Sequence, residues 1–278
     1  MSKIDLASPV VKWVGGKRQL LDRLMPLFPE TYTSYCEPFI GGGAVLFALQ
    51  PQKAIINDVN SELIGVYRAI KNDVDALIKR LAQFENTKEC FYDVRSWDRN
   101  AEVYNQLTDI DKAARVIFLN KTCYNGLYRV NSAGEFNTPF GRYKNPNIVN
   151  ENTLRAVNEY FNTADVTILN TSYSQAVQGL SEDSFVYLDP PYDPISVTAS
   201  FTGYNAGGFS RADQIALRDC CRQLDAAGIK FMLSNSATEF IQDIYSEFNI
   251  TIVPAKRAIN SVGSKRGCVD EVVVRNYV

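Results

Sequence analysis

The chain has 278 residues, 46% hydrophobic and 22% charged, with a formal net charge of −2 and no histidine. This composition fits a soluble globular enzyme of one large or two modest domains. Without an imidazole, Ser-His and Cys-His catalysis are excluded, and no metal site is expected.

No apolar run approaches the ~18 residues of a membrane span. The opening "MSKIDLASPVVKW" lacks the apolar core of a signal peptide, so a cytoplasmic protein is expected. The six cysteines (36, 90, 123, 220, 221, 268) form no C-x-x-C pair and read as reduced thiols. A net charge so near zero leaves nucleic-acid binding to local patches.

In chain order, "SYCEPFI" (34–40) reads as a short buried strand, and "GGGAVLFALQ" (41–50) as a glycine turn feeding a helix. "KAIINDV" (53–59) is a second strand ending on an acid. "NSELIGVYRAIKN" (60–72) is a helix with Leu63, Tyr67 and Ile70 on one face. Residues 73–159 break the alternation. They begin helical, then turn into an Asn-, Gly-, aromatic- and Arg-rich stretch in which "VNSAGEF" predicts a hairpin turn. Strands follow at 165–170, 184–189, 228–235, 248–254 and 270–278, the last two pairing antiparallel. A helix lies over 211–228, with Ser210 as N-cap and Gly228 as its stop. Alternating strands and helices predict an α/β fold with a mostly parallel sheet covered on both faces.

Glycines 41, 42 and 43 stand between a strand and a helix, where a bare backbone can approach a ligand. A plain tight turn would look the same. The dinucleotide pattern G-x-G-x-x-G fails, because Leu46 stands where its third glycine is required. Asp58 closes the next strand, a position where acids hold ribose hydroxyls. A nucleoside ligand without a pyrophosphate fits both features, and S-adenosylmethionine (AdoMet) is such a ligand. "KWVGGKRQL" (12–20) is not a phosphate loop, since Val11 and Arg18 break the pattern. Lys17 reads instead as a cation for a carboxylate, and Trp13 as a ring packed on the ligand or on the core.

"FVYLDPPYDP" (185–194) ends a strand on an acid, two prolines and an aromatic ring. This suits methylation of an exocyclic base amine. The amine's lone pair is delocalised and must be turned toward the methyl donor. Asp189 and the Pro190 carbonyl can accept its two N–H bonds, and proline has no N–H to compete. Tyr192 can stack on the target ring. Positioning and electrostatics then do the work, and no imidazole base is needed.

These motifs resemble those of the Dam-type (D12 class, alpha group) DNA N6-adenine methyltransferases. The resemblance covers nearly the whole chain, through "KWVGGKRQL", "EPFIGGGAV", "NDVNSELI", "YNGLYRVNSAGEFNTPFGRYKNP" and "DPPYDPISVTASFTGY". It implies a Rossmann-like seven-stranded AdoMet-dependent methyltransferase sheet. Into it would be set a mainly helical target-recognition subdomain carrying a β-hairpin. Residues 1–72 and 160–278 would form the catalytic domain, and 73–159 the DNA-reading subdomain. It implies cofactor contacts at Trp13, Lys17, Phe39, Gly41, Gly43, Asp58, Ser172, Tyr173 and Asp189, and leaves S-adenosyl-L-homocysteine as product. Asp189, Pro190 and Tyr192 would carry the amino-group chemistry.

The middle region then reads as a DNA surface. From Arg115 to Lys144, five cations (Arg115, Lys121, Arg129, Arg142, Lys144) face one acid, Glu135, and interleave with Tyr124, Tyr128, Phe136, Phe140 and Tyr143. The resemblance places Arg129 on a guanine edge. Leu127 and Pro139 fall beside neighbouring base pairs, Tyr124 and Asn125 in the gap left by a flipped adenine, and Arg142 and Lys144 on phosphate. Flipping follows from geometry, since N6 within a paired stack cannot meet a methyl donor in line. A second basic stretch, 255–267, reads either as a loop near DNA or as an exposed turn. The expected partner is double-stranded DNA, with GATC as site and a nucleoid-associated monomer or weak dimer as the working form. No membrane and no obligate protein partner is expected. The alternatives are another site such as GATATC, cytosine N4 as target, or a catalytically inactive DNA-binding relative.

Overall fold

The computed structural model describes residues 3–194, 208–256 and 268–278. Seven strands form one sheet: Ser34–Glu37 (β1), Lys53–Asn57 (β2), Asp165–Leu169 (β3), Ser184–Leu188 (β4), Lys230–Ser236 (β5), Asn249–Lys256 (β6) and Cys268–Arg275 (β7). Their spatial order is β3-β2-β1-β4-β5-β7-β6. The first five pair in parallel, and β7 runs antiparallel to both β5 and β6. This is the α/β methyltransferase sheet that the sequence predicts.

The first four expected strands and the last run long at their C-terminal ends, while β5 and β6 run past theirs. β1 stops at Glu37 because Pro38 has no N–H to continue a ladder. β2 stops at Asn57, whose Nδ2 donates to the carbonyls of Pro38 at 3.0 Å and Thr171 at 3.1 Å. That side chain ties together the loops leaving three adjacent strands.

The helices of the described residues are Leu21–Leu24 (α1), Ala44–Leu49 (α2), Ser61–Asn72 (α3), Val74–Leu81 (α4), Lys88–Ser96 (α5), Ala101–Gln106 (α6), Asp109–Thr122 (α7), Glu151–Thr163 (α8), Tyr173–Ala176 (α9), Arg211–Ala226 (α10) and Glu239–Ile244 (α11). Capping explains several starts. Asn60 accepts from the Leu63 amide at the head of α3. Ser210 and Asp213 form a capping box on α10, and Gly228 leaves that helix at φ +72°.

Strand alternation sends neighbours to opposite faces. Tyr35, Phe185 and Tyr187 join one apolar cluster, while Cys36, Val186 and Leu188 join the other. The first cluster runs on without a break into Leu77 of α4, Phe91 of α5 and Phe118 of α7.

Three outward assignments of the middle region are corrected here. Arg115 is 2% exposed; its guanidinium meets Asp98 Oδ2 at 2.5 Å and lies 3.8 Å from Glu62. Tyr128 and Phe136 are buried and pack edge to face at 5.7 Å. Four cations of that stretch remain off the core. The predicted hairpin forms only as a turn. Asn131 N donates to the Glu135 carbonyl, and isolated bridges join Val130 to Phe136 and Cys123 to Phe140. The basic stretch 255–267 lies outside the described residues beyond the β6 backbone, as do residues 195–204 of the "DPPYDPISVTASFTGY" motif.

Candidate active site

β1 connects onward to β2 on one side, while β4 lies on its other side, so the loops leaving β1 and β4 diverge. Ligands of open α/β sheets bind in the crevice at such a reversal. One pocket there is lined by Gly15, Gly16, Lys17, Glu37, Ile40–Val45 and Asp189.

Lys17 enters it from the N-terminal segment. Gly15 turns the chain at φ +79°, and Lys17 Nζ donates back to the Gly15 carbonyl at 2.7 Å. The same Nζ meets Asp189 Oδ1 at 2.7 Å, with side-chain exposures of 4% and 18%. Burial pushes the Asp189 carboxyl up to about 6, against the pull of Lys17. The buried cation therefore only partly offsets the cost of a desolvated carboxylate.

The glycine loop is a backbone cradle. A Cβ on Gly41 would stand 3.1 Å from Trp13 Cδ1, and one on Gly43, which has φ +74°, would stand 2.8 Å from Phe47. Tyr67 Oη donates to the Gly41 carbonyl at 2.7 Å. Asp58 holds the loop from the β2 side, accepting from Gly41 N at 3.1 Å and Asn60 N at 2.9 Å. Burial raises the Asp58 pKa.

Glu37 is an acid that sequence reasoning missed. It is fully buried in the pocket wall, accepts from Tyr35 Oη at 2.7 Å, and takes the Leu46 backbone amide of α2. Burial raises its pKa well above the carboxylate range. Glu37 thus caps a helix whose own N-cap, Gly43, has no side chain to do so. The signal was present, since Glu37 ends a buried strand as Asp58 and Asp189 do.

Around the remaining residues of "DPPYDP" a polar network fixes the chain. Asp193, buried, accepts from Arg211 at 3.1 and 3.2 Å and from Thr238 Oγ1 at 2.8 Å. Buried Gln214 donates to the Pro191 carbonyl at 2.8 Å and accepts from Asn235 at 3.1 Å. The two proline carbonyls are therefore not equivalent. Pro190 itself is buried, directly after Asp189. Tyr192 Oη donates to Glu271 Oε2 at 2.7 Å, and Lys17 Nζ lies 4.7 Å from the Tyr192 ring centroid.

Other predicted positions sit around this centre. Trp13, half-buried, packs on the glycine loop and stacks on Tyr128 at 4.9 Å and 26°. Phe39 stacks on Tyr173 at 5.3 Å, on the side of the second apolar cluster. Ser172 caps α9 through Gln175 and is exposed. Phe39, Ser172 and Tyr173 do not line the pocket that holds Lys17 and Asp189.

The loop after α7 brings the other predicted group together. Tyr124 N donates to the Pro139 carbonyl at 2.8 Å, and Asn125 N donates to Tyr143 Oη at 3.0 Å. Asn125 and Arg142 take left-handed backbones at φ 58° and 57°. Tyr124 is 56% exposed; Asn125, Arg129, Pro139, Arg142 and Lys144 are exposed, and Leu127 is half-buried. Arg129 Nε donates to Asn137 Oδ1 at 2.7 Å. Trp13 on Tyr128 joins this loop to the pocket. Among the described residues no group of side chains could hold a metal ion, and no helix is long and apolar enough to cross a membrane.

The model of the D12 class N6 adenine-specific DNA methyltransferase family matches residues 13–259. A type II methyltransferase of Lactococcus lactis subsp. cremoris is 46% identical over 99% of this chain and 97% of its own. A type II methyltransferase of Methanocaldococcus jannaschii is 43% identical over 97% of this chain and 99% of its own. A DNA adenine methylase of Vibrio cholerae is 33% identical over 95% and 94%.

Proposed function

The chain belongs to the D12 class of N6 adenine-specific DNA methyltransferases, and on that premise we propose that it methylates the adenine of GATC, extruded from the duplex toward Asp189–Tyr192. It is an AdoMet-dependent enzyme acting on DNA. The observation that supports placing the target amine at Asp189 is the meeting of Lys17, the glycine loop and Asp189 in one pocket at the sheet's switch point.

The residues present fit the cofactor. Gly41 and Gly43 take left-handed backbones that a side chain would strain and so keep the loop bare, Asp58 suits ribose hydroxyls, and Lys17 suits a carboxylate. Trp13, Phe39, Ser172 and Tyr173 would complete that site. Bound there, AdoMet supplies an electrophilic methyl on a sulfonium.

The chain's own part is to aim the base amine. Asp189 accepts one N6–H, most strongly as the carboxylate. The Pro190 carbonyl accepts the other, and Tyr192 stacks on the ring. In a water-poor pocket these fixed acceptors need no reorganisation during transfer.

Residues 73–159 would read the duplex. Arg129 stands exposed, with Asn137 orienting its guanidinium, which supports a bidentate guanine contact discriminating by ~1–3 kcal/mol. Leu127 and Pro139 flank it. Tyr124 and Asn125 would fill the gap left by the extruded base, and Arg142 and Lys144 would hold phosphate. Two of the relatives are named type II methyltransferases, which favours a modification role beside a restriction enzyme.

The test is methyl transfer from labelled AdoMet to two short duplexes, identical except for one GATC changed to GTTC. N6-methyladenine on the GATC duplex alone is expected. Equal labelling of both, or of neither, overturns the GATC assignment.

A further inference from the structure

We infer that Glu271, on the reversed strand β7, is a positioning residue that holds Tyr192 and keeps its hydroxyl off Asp189. The inference rests on the assignment of Asp189 and Tyr192 to the target amine and ring.

Glu271 belongs to none of the motifs that carry the reaction. β7 lies next to β5, with Glu271 opposite Ser236, and β5 lies next to β4, which Asp189 directly follows. This register brings an acid from near the C-terminus to the mouth of the pocket. There Tyr192 Oη donates to Glu271 Oε2 at 2.7 Å.

Two consequences follow. The first is orientation. A tyrosine ring turns about two side-chain torsions unless something fixes it. Glu271 fixes the hydroxyl end, and Lys17 Nζ lies 4.7 Å from the ring centroid. A base stacking on Tyr192 would then take the face opposite the ammonium. Small misplacements of a reacting group cost much of the rate, so a fixed ring is worth holding.

The second is the distribution of hydrogen bonds. The Tyr192 hydroxyl lies within reach of Asp189 as well as Glu271, and it has one proton to give. Giving that proton to Glu271 leaves the Asp189 oxygens for Lys17 and the base amine. Without Glu271, the hydroxyl would turn to Asp189 and occupy the acceptor the amine requires.

The experiment measures N6-methyladenine formation on a duplex the wild type methylates, with AdoMet affinity measured separately. Glu271→Leu is expected to lower kcat about tenfold or more with AdoMet Kd unchanged, the scale of one hydrogen bond to a charged acceptor. Glu271→Gln keeps an acceptor oxygen and should hold kcat within about threefold. Tyr192→Phe removes the hydroxyl that competes for Asp189. The Glu271→Leu/Tyr192→Phe double variant should therefore match Tyr192→Phe alone, and should not show the product of the two losses. Multiplying losses, or a Glu271→Leu defect shared equally by kcat and AdoMet Kd, would overturn the positioning role while leaving the site assignment intact. A wild type that forms no N6-methyladenine would overturn both.

Discussion

Replacing Asp189 with asparagine tests whether the pocket holds this carboxylate against its own solvation. Burial lifts the folded carboxyl to about 6, although Lys17 sits 2.7 Å away. An unfolded aspartate titrates near ~3.9. The folded state therefore binds this proton more tightly than the unfolded state. The stability it contributes is complete below pH ~3.9 and is lost as pH rises through about 6. Two units correspond to about 3 kcal/mol. Asparagine cannot titrate, and Lys17 lacks an anionic partner in that variant at every pH, so the cost of the bare lysine cancels when two pH values are compared. In denaturant unfolding of cofactor-free protein, the stability of wild type minus variant should fall by about 2.4 kcal/mol between pH 4 and pH 7.5, most of that total. Methyl transfer by the wild type should rise with pH around a midpoint near 6, and the variant, whose amide oxygen still accepts but carries no charge, should be slower and show no such rise. A stability difference that does not move with pH would refute the burial argument. A rise with pH would mean that Lys17 outweighs desolvation.

Further outcomes are expected at four residues. Gly43→Ala puts a methyl 2.8 Å from Phe47 and 3.1 Å from Tyr67 Oη on a φ +74° backbone, so thermal unfolding should show a loss of about 1–3 kcal/mol and AdoMet Kd should rise about tenfold. Gly65→Ala, inside α3 with open space around it, should be neutral or slightly stabilising. Glu37→Gln should stay within about 1 kcal/mol of wild type, because burial already disfavours the charged acid and the amide keeps an acceptor oxygen for Tyr35. Glu37→Ala should cost about 1–3 kcal/mol by stranding Tyr35 Oη and the Leu46 amide, and chemical denaturation checks both. Arg129→Ala should relax the choice at one guanine more than it weakens binding overall, and equal losses on specific and random duplexes would make it a phosphate contact.

What the sequence revealed divides by the range of the interaction. Strands, caps and the glycine loop are set by neighbours within a few residues. Ser210 and Asp213 are three apart and cap α10 as expected. The three acids that end strands at the mouth of the sheet are likewise a local pattern, although Glu37 went unread beside Asp58 and Asp189. Arg115 shows the opposite case. On a helix it reads as a solvated cation, and only the approach of Asp98 and Glu62 turns it inward. A charge count over 115–144 therefore overstated the basic surface by its one buried cation and also faced Tyr128 and Phe136 outward. Tyr192 and Glu271 are separated by 79 positions, and their hydrogen bond depends on the antiparallel register of β7 against β5. A one-residue slip would turn Glu271 to the other face of the sheet. Periodicity cannot supply that register, because "DEVVVRNYV" alternates in the same way whichever strand lies beside it. The motif thus supplies the ring proposed to meet the base, while the sheet decides which acid its hydroxyl bonds.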